Sequence, residues 1–414
     1  MSSLHPTSIL RRRALLNRLL YGGLGIGLGA GLAGCGGGTD SSDTQRVTAQ
    51  LKARADAGVD AGLVGLVLGL VSGRAAEAAV AVAGQRRLGQ STPVEATDRF
   101  AIGSNTKAMT SAAIVALAGQ GGPALSLTLA QAYPAWASEI HPAYAQVTLA
   151  DLLHHRGGLP AFNGTGPEDD AFIAAVSADT RPLPNTAAGR RSYFARWVLK
   201  QPPAQGIVPG RDFHYSNAGY VLAAAIIEAQ TGKTFEAVFN EVLVQPLGLS
   251  GHWRSWVPAP TDTLWGHEGA RGALAVVEAT PDTLAIQDWL DIIAPAGNWA
   301  CSGAAYAQWL RWHVLALRGA RTPLPTVYVN DLRAAADGRY VWGWQAQATP
   351  KRVVLTHTGH VTGFMAEVAL DRAGDFAVFG LSNTAWFAQD GSSWVLSRID
   401  QALADVLQQQ SIAL

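Results

Sequence analysis

Strand-like segments stand at both ends of this chain while helical spacing fills its middle, and no other feature restricts the fold as tightly. Val64 to Val71 and Ala78 to Gly84 are short apolar runs on either side of a Ser-Gly-Arg stretch, and they read as a strand pair. Far downstream, Arg352 to Leu355, Phe364 to Leu370 and Phe376 to Leu381 read as strands, the last two joined by a hairpin turn at Asp371 to Gly374. Between the two ends, Ser104 to Leu117 is Ala-rich and apolar on most faces, as a buried helix is. Much of Thr148 to Gln245 keeps helical spacing, broken by loops such as "GGLPAFNGTG", and Gly232 separates two helices near its end. Ser393 to Gln409 reads as a further helix. Strands from the two ends must then share one sheet. The expectation is an α/β (α+β) fold, an antiparallel sheet flanked by helices with a mostly helical region inserted. Its α/β part would cover about 48–105 and 295–414, and its helical part about 106–294. No internal repeat is present, so 48–414 reads as one compact unit.

Lysines and arginines number 31 and so do the acids, a balance without the basic excess that nucleic-acid binding leaves. The N-terminal segment carries a targeting pattern instead. Arg11, Arg12 and Arg13 precede a Gly-rich apolar run from Leu15 to Leu32, and "LAGC" ends at Cys35. A basic stretch, an apolar stretch and small residues before a cut describe a signal peptide over 1–34. A cysteine directly after Leu-Ala-Gly resembles a bacterial lipobox, which implies lipid on the Cys35 sulfur. The expected location is the periplasm or cell envelope, with the acyl chains as the link to a membrane. Residues 35–47 read as that cysteine followed by a flexible spacer, "GGGTDSSDTQ" from Gly36 to Gln45. Cys301 is left without an evident partner, so no disulfide framework is expected.

The chemistry centres on "FAIGSNTKAM", where Ser104 stands three residues before Lys107 at the start of the apolar helix. One helical turn puts both side chains on one face. A serine hydroxyl is a poor nucleophile until a base takes its proton, and a desolvated lysine can lose its charge to serve as that base. A capping serine followed by a surface lysine gives the same four letters. Two further stretches bear on the choice: "HYSNAGY", with Tyr215 and Asn217, and "LTHTGHVTGF", with His357, Thr358 and Gly359 on an edge-strand segment.

SxxK, YxN and HTG in that order resemble the serine β-lactamase and penicillin-binding-protein superfamily. Within it, the tyrosine of the second motif resembles the branch of class C β-lactamases, D-alanyl-D-alanine carboxypeptidases and related esterases. "TLADLLHHRGGLPAF", "VQPLGLSGHW" and "HTGHVTGFMAEVALD" also look like segments of that branch, so the likeness spans roughly Val64 to Thr384. The resemblance implies Ser104 as the acylated nucleophile, Lys107 as the group that holds or accepts its proton, and Tyr215 as the partner acid/base. Asn217 would bind the substrate amide or orient Lys107, and His357 would stand where the family carries lysine. The backbone N–H groups of Ser104 and His360, just past Gly359, would form an oxyanion hole.

The implied function is that of a serine hydrolase working through an acyl-enzyme, most like a D-alanyl-D-alanine carboxypeptidase. A carboxylesterase, a class C-type β-lactamase and a non-catalytic sensing module for β-lactam or peptidoglycan are the alternatives. Expected partners are a D-amino-acid peptide, ester or β-lactam substrate and, through Cys35, a membrane; no cofactor, metal or nucleic acid is expected. A metal on His154 and His155 is disfavoured because adjacent helical side chains point about 100° apart.

Overall fold

The computed structural model describes residues 40–164, 166–180, 183–254, 264–278, 281–388, 390–412 and 414. The expected signal segment and the lipid-accepting Cys35 lie outside the described residues. One part of the spacer reading is corrected: a helix runs over Asp40–Asp60, so the last residues of 35–47 are helical. Val47, Leu51 and Ala55 recur four apart and are buried on the sheet, which anchors this otherwise polar segment.

The strands expected at the two ends do share one sheet. It has seven strands in the order β2-β1-β12-β11-β10-β9-β8, every neighbouring pair antiparallel. These are β1 (Gly65–Ser72), β2 (Ala79–Gly84), β8 (Tyr340–Val341), β9 (Trp344–Ala348), β10 (Val353–Val361), β11 (Phe364–Asp371) and β12 (Phe376–Ser382). Residues of β1 and β12 are buried on both faces, whereas β2 at the rim alternates. The burial has a direct cause. The helices Asp40–Asp60 and Trp394–Gln409 cover one face through Leu51, Ile399 and Val406 against Leu66 and Val378. The helix Gly303–Leu317 covers the other, with Tyr306 edge-on to Phe379 at 5.2 Å.

The inserted region packs the helices Thr106–Gly119, Ala187–Val198, Asn217–Thr231 and Pro281–Gly297 on one another. It is less purely helical than its spacing suggests. Two-residue strands β4 (His252–Trp253), β5 (His267–Glu268) and β6 (Ala275–Val276) enter two small sheets, with β3 (Phe100–Ala101), β7 (Trp299–Cys301) and β13 (Thr384–Ala385).

Two details of the sheet position the site. The strand expected at Arg352 to Leu355 runs on to Val361, so the His-Thr-Gly triplet lies within β10. Its neighbour β9 pairs only with Val353 to Thr356, so from His357 onward that edge of β10 is unpaired by β9 and packs against the turn Gly103–Asn105.

Candidate active site

Ser104 sits where a strand turns into a helix. Phe100 and Ala101 pair with Cys301 and Ala300, and the Ile102 amide donates to the Trp299 carbonyl at 3.0 Å. The chain then passes through Gly103, at φ +52, into a 3-10 turn over Gly103–Asn105 and the helix that begins at Thr106. A side chain at Gly103 would meet the backbone of Gly359 and His360 in β10. Contact this close brings the serine turn against the edge of β10 that β9 leaves unpaired.

Lys107, one turn further on, is fully buried. Its Nζ lies 3.0 Å from Ser104 Oγ, 2.7 Å from Asn217 Oδ1 and 2.7 Å from the Ala296 carbonyl. The last of these acceptors belongs to the final turn of the helix Pro281–Gly297, where carbonyls lack helical partners. Thr110 caps the neighbouring Pro295 carbonyl at 2.7 Å. Asn217 has its orientation fixed too: its Nδ2 donates to the Phe162 carbonyl at 2.7 Å, which leaves Oδ1 to face the lysine. Phe162 adopts φ +51 and is locked by Phe194, edge-on at 4.9 Å. An ammonium has three N–H donors, and Ser104 Oγ, Asn217 Oδ1 and the Ala296 carbonyl are acceptors within reach of this one. A neutral amine has two, which the Asn217 and Ala296 oxygens occupy, so its lone pair would point at Ser104 Oγ. The arrangement therefore accommodates both the charged and the neutral state of Lys107.

Tyr215 is half-buried, its ring centroid 5.0 Å from Lys107 Nζ. Asn217 is the first residue of the helix Asn217–Thr231, and Ser216 stands at the N-cap position without a side-chain cap bond. Instead the Ser216 hydroxyl donates to the Pro160 carbonyl at 2.6 Å and so ties this segment to the preceding loop.

His357 is buried within β10. Its Nδ1 pairs with the Thr358 carbonyl at 2.6 Å and its Nε2 with the Tyr340 hydroxyl at 3.1 Å. A carbonyl can only accept, so Nδ1 carries a proton and Tyr340 can donate to Nε2 in the neutral ring. Tyr340 arrives on the β8–β9 hairpin, whose two loop residues Trp342 and Gly343 have φ of +48 and +89, as a two-residue turn favours. A Cβ on Gly343 would come within 2.3 Å of the Ala108 nitrogen, so the hairpin tip rests directly on the helix that carries Lys107.

Thr358 is half-buried beside Gly359, and the imidazole of His360 points outward. That ring pairs with Glu268 at 3.6 Å and meets Phe387 edge-on at 5.3 Å. Glu268 also accepts from the Gly363 amide at 3.0 Å, and its carboxyl is held below the usual range, chiefly by the bond to His360. Only the backbone of His360 faces the serine turn.

The geometry thus brings Ser104, Lys107, Tyr215, Asn217, His357 and the Gly359–His360 backbone into one region. It adds Tyr340, Phe162, the Ala296 carbonyl and His155, which sequence reading did not assign to it. Two of these act through a backbone oxygen, whose position no residue type announces. Tyr340 sits in "GRYVWGW", where the aromatic-rich hairpin pattern was the available signal. His154 and His155 diverge: His154 Nδ1 pairs with the Ala150 carbonyl and its ring lies 4.1 Å from Trp342. Among the described residues no group of three or more His, Cys, Asp or Glu is placed to hold a metal.

The fold places a serine, a buried lysine and a tyrosine together at the junction of the sheet and the inserted helices. The β-lactamase family model matches residues 47–400, and the chain belongs to that family. Unguisins hydrolase ungD of Aspergillus violaceofuscus (strain CBS 115571) is 25% identical over 361 residues, 75% of this chain and 57% of that protein. The D-alanyl-D-alanine-carboxypeptidase/endopeptidase AmpH of Escherichia coli (strain K12) is 27% identical over 184 residues, 43% of this chain and 42% of that protein. The chain thus spans about half the length of the curated relatives it matches. Among solved structures, the D-amino acid amidase from Ochrobactrum anthropi SV3 complexed with L-phenylalanine superposes with a TM-score of 0.65 at 20% identity, over 89% of this chain and 100% of that one. At that identity the likeness concerns the fold.

Proposed function

We propose that this protein is a serine hydrolase that works through an acyl-enzyme on Ser104. The observation that carries the reading is the buried Lys107 Nζ at 3.0 Å from Ser104 Oγ, its other two positions occupied by fixed oxygens. In the first step Ser104 Oγ attacks the substrate carbonyl while its proton passes to Lys107. The N–H groups of Ser104 and His360 stabilise the resulting oxyanion. Tyr215 then passes a proton to the departing group, which leaves the acyl ester on Ser104, and later takes one from the attacking water; as the acyl–Oγ bond breaks, Lys107 returns its proton to Ser104. Asn217 orients Lys107, and His357, Thr358 and Gly359 line the strand along which substrate lies.

The proposed substrates are peptides containing D-amino acids, with a D-alanyl-D-alanine terminus as the first choice. Support comes from the names of the relatives, a D-alanyl-D-alanine carboxypeptidase/endopeptidase and a D-amino acid amidase. The test is release of D-alanine from a peptide ending in D-alanyl-D-alanine, beside the same peptide ending in L-alanyl-L-alanine and with Ser104→Ala as control. Release from the D-peptide alone, lost in the variant, supports the substrate class; equal cleavage of both peptides contradicts it. The attachment of lipid at Cys35 is proposed on its sequence motif, and labelling with a palmitate analogue that persists in Cys35→Ser would overturn it.

A further inference from the structure

We propose that His155 is a positioning residue that sets Tyr215 for proton transfer. Its catalytic consequence rests on the serine-hydrolase reading above, while its geometry stands independently. His155 follows the short helix Leu149–Leu153, is 1% exposed and adopts φ +56. Its carbonyl accepts from the His214 amide at 2.8 Å, and its Nδ1 accepts from the Ser216 amide at 3.1 Å. These amides belong to the residues immediately before and after Tyr215, so one residue holds the backbone on both sides of the tyrosine.

The ring completes the clamp. It lies 4.2 Å from the Tyr215 ring and 4.5 Å from that of Tyr340, with Tyr220 and Phe213 at 5.3 and 5.9 Å. Because Nδ1 accepts, the proton of the neutral ring sits on Nε2, which is buried and has no hydrogen-bond partner. A second proton would remove the acceptor that holds Ser216. Burial, reinforced by the charge of Lys107, opposes that protonation and holds the imidazole well below its ordinary titration range. A residue that only filled space here would need neither an acceptor aimed at Ser216 nor a left-handed backbone.

Two substitutions separate positioning from packing. His155→Asn keeps an acceptor near the Nδ1 place and a residue type that tolerates positive φ. His155→Phe keeps a flat ring against Tyr215 and removes the acceptor. With p-nitrophenyl acetate as the probe, His155→Phe should lower kcat about tenfold or more with KM little changed, and His155→Asn should restore most of it. In the Tyr215→Phe background, His155→Phe should bring almost no further loss, as expected of a residue that acts through Tyr215. Independently of turnover, the Ser216 amide should exchange with solvent faster in His155→Phe than in His155→Asn or wild type. Equal activity and equal exchange in the two variants, or fully additive losses with Tyr215→Phe, would overturn the proposal. If the wild type fails to turn over the ester, the serine-hydrolase reading fails, and Ser216 exchange still decides whether His155 holds this segment.

Discussion

Gly103 and Gly359 stand back to back: a Cβ on Gly103 would lie 2.3 Å from the His360 nitrogen, and one on Gly359 would lie 1.9 Å from the Ile102 carbonyl oxygen. The serine turn and β10 therefore meet backbone to backbone. The proposed oxyanion hole depends on that contact, because its two N–H donors come from opposite sides of it.

Gly103→Ala should consequently cost more than its backbone angle alone. An alanine at positive φ costs about 1 kcal/mol. The clash with β10 adds to this and shifts an oxyanion donor, for which a loss of about 10²-fold in kcat is the expected scale. Gly232→Ala is the control, since Gly232 has φ +69 and open space around its Cβ position. It should lose a similar conformational term and keep its activity. Thermal melts and ester hydrolysis of the two variants decide the point; equal activities would remove the close approach from the account.

Asn217→Leu should weaken both the fold and the reaction. The substitution leaves a Lys107 donor and the Phe162 carbonyl without the partners they have at 2.7 Å. Each buried polar group so abandoned costs about 1–3 kcal/mol. Urea denaturation should show a loss in that range, and turnover should fall by at least about tenfold as Lys107 loses its fixed direction. Unchanged stability would show that Asn217 does not bear the load assigned to it.

Tyr340→Phe deletes the hydroxyl that meets His357 Nε2 at 3.1 Å while preserving the ring contacts. A net hydrogen bond of about 1 kcal/mol corresponds to roughly a fivefold change, so kcat/KM should drop by that order. Nitrogen NMR of the His357 ring would register the missing bond directly, and an identical spectrum would contradict the pairing.

Stability should fall as the medium turns acidic, in part through His313. Its Nδ1 donates to the Trp309 carbonyl and its Nε2 accepts from the Tyr328 hydroxyl, so the buried ring is neutral. Burial pushes its pKa down from 6.5 to about 4. Between those values the unfolded chain binds the proton and the folded chain does not. The neutral ring's contribution is therefore intact above pH 6.5 and lost as pH falls toward 4, by about 3 kcal/mol at most. Asp169, raised to about 6 by its own burial, acts in the opposite sense. Denaturation at pH 7 and pH 4.5 should show a smaller drop for His313→Gln than for wild type, and equal drops would count against the assignment.

Much of this architecture is legible in the sequence because it rests on periodicity. The one-sheet arrangement follows from apolar runs at both ends, and Ser104 with Lys107 follows from one turn of helix. What escapes is whatever depends on approach in three dimensions. Phe162 and Ala296 contribute carbonyl oxygens, and any residue but their neighbours' geometry would supply the same atom. Tyr340 reaches His357 only because Gly343 lets its hairpin rest on the backbone beside Lys107. The helix from Asp40 is hidden for another reason: its residues are mostly polar, and three well-spaced apolar side chains suffice to dock it.

The central claim is that Ser104 becomes acylated, and intact-protein mass spectrometry tests it most directly. The full-length protein would be mixed with benzylpenicillin and, separately, with a fluorophosphonate, beside Ser104→Ala. The wild type should gain the mass of one adduct with at least the fluorophosphonate, mapping to the peptide that contains Ser104, and the variant should gain none. An adduct of equal yield on Ser104→Ala, or no adduct on the wild type with either reagent, would contradict it.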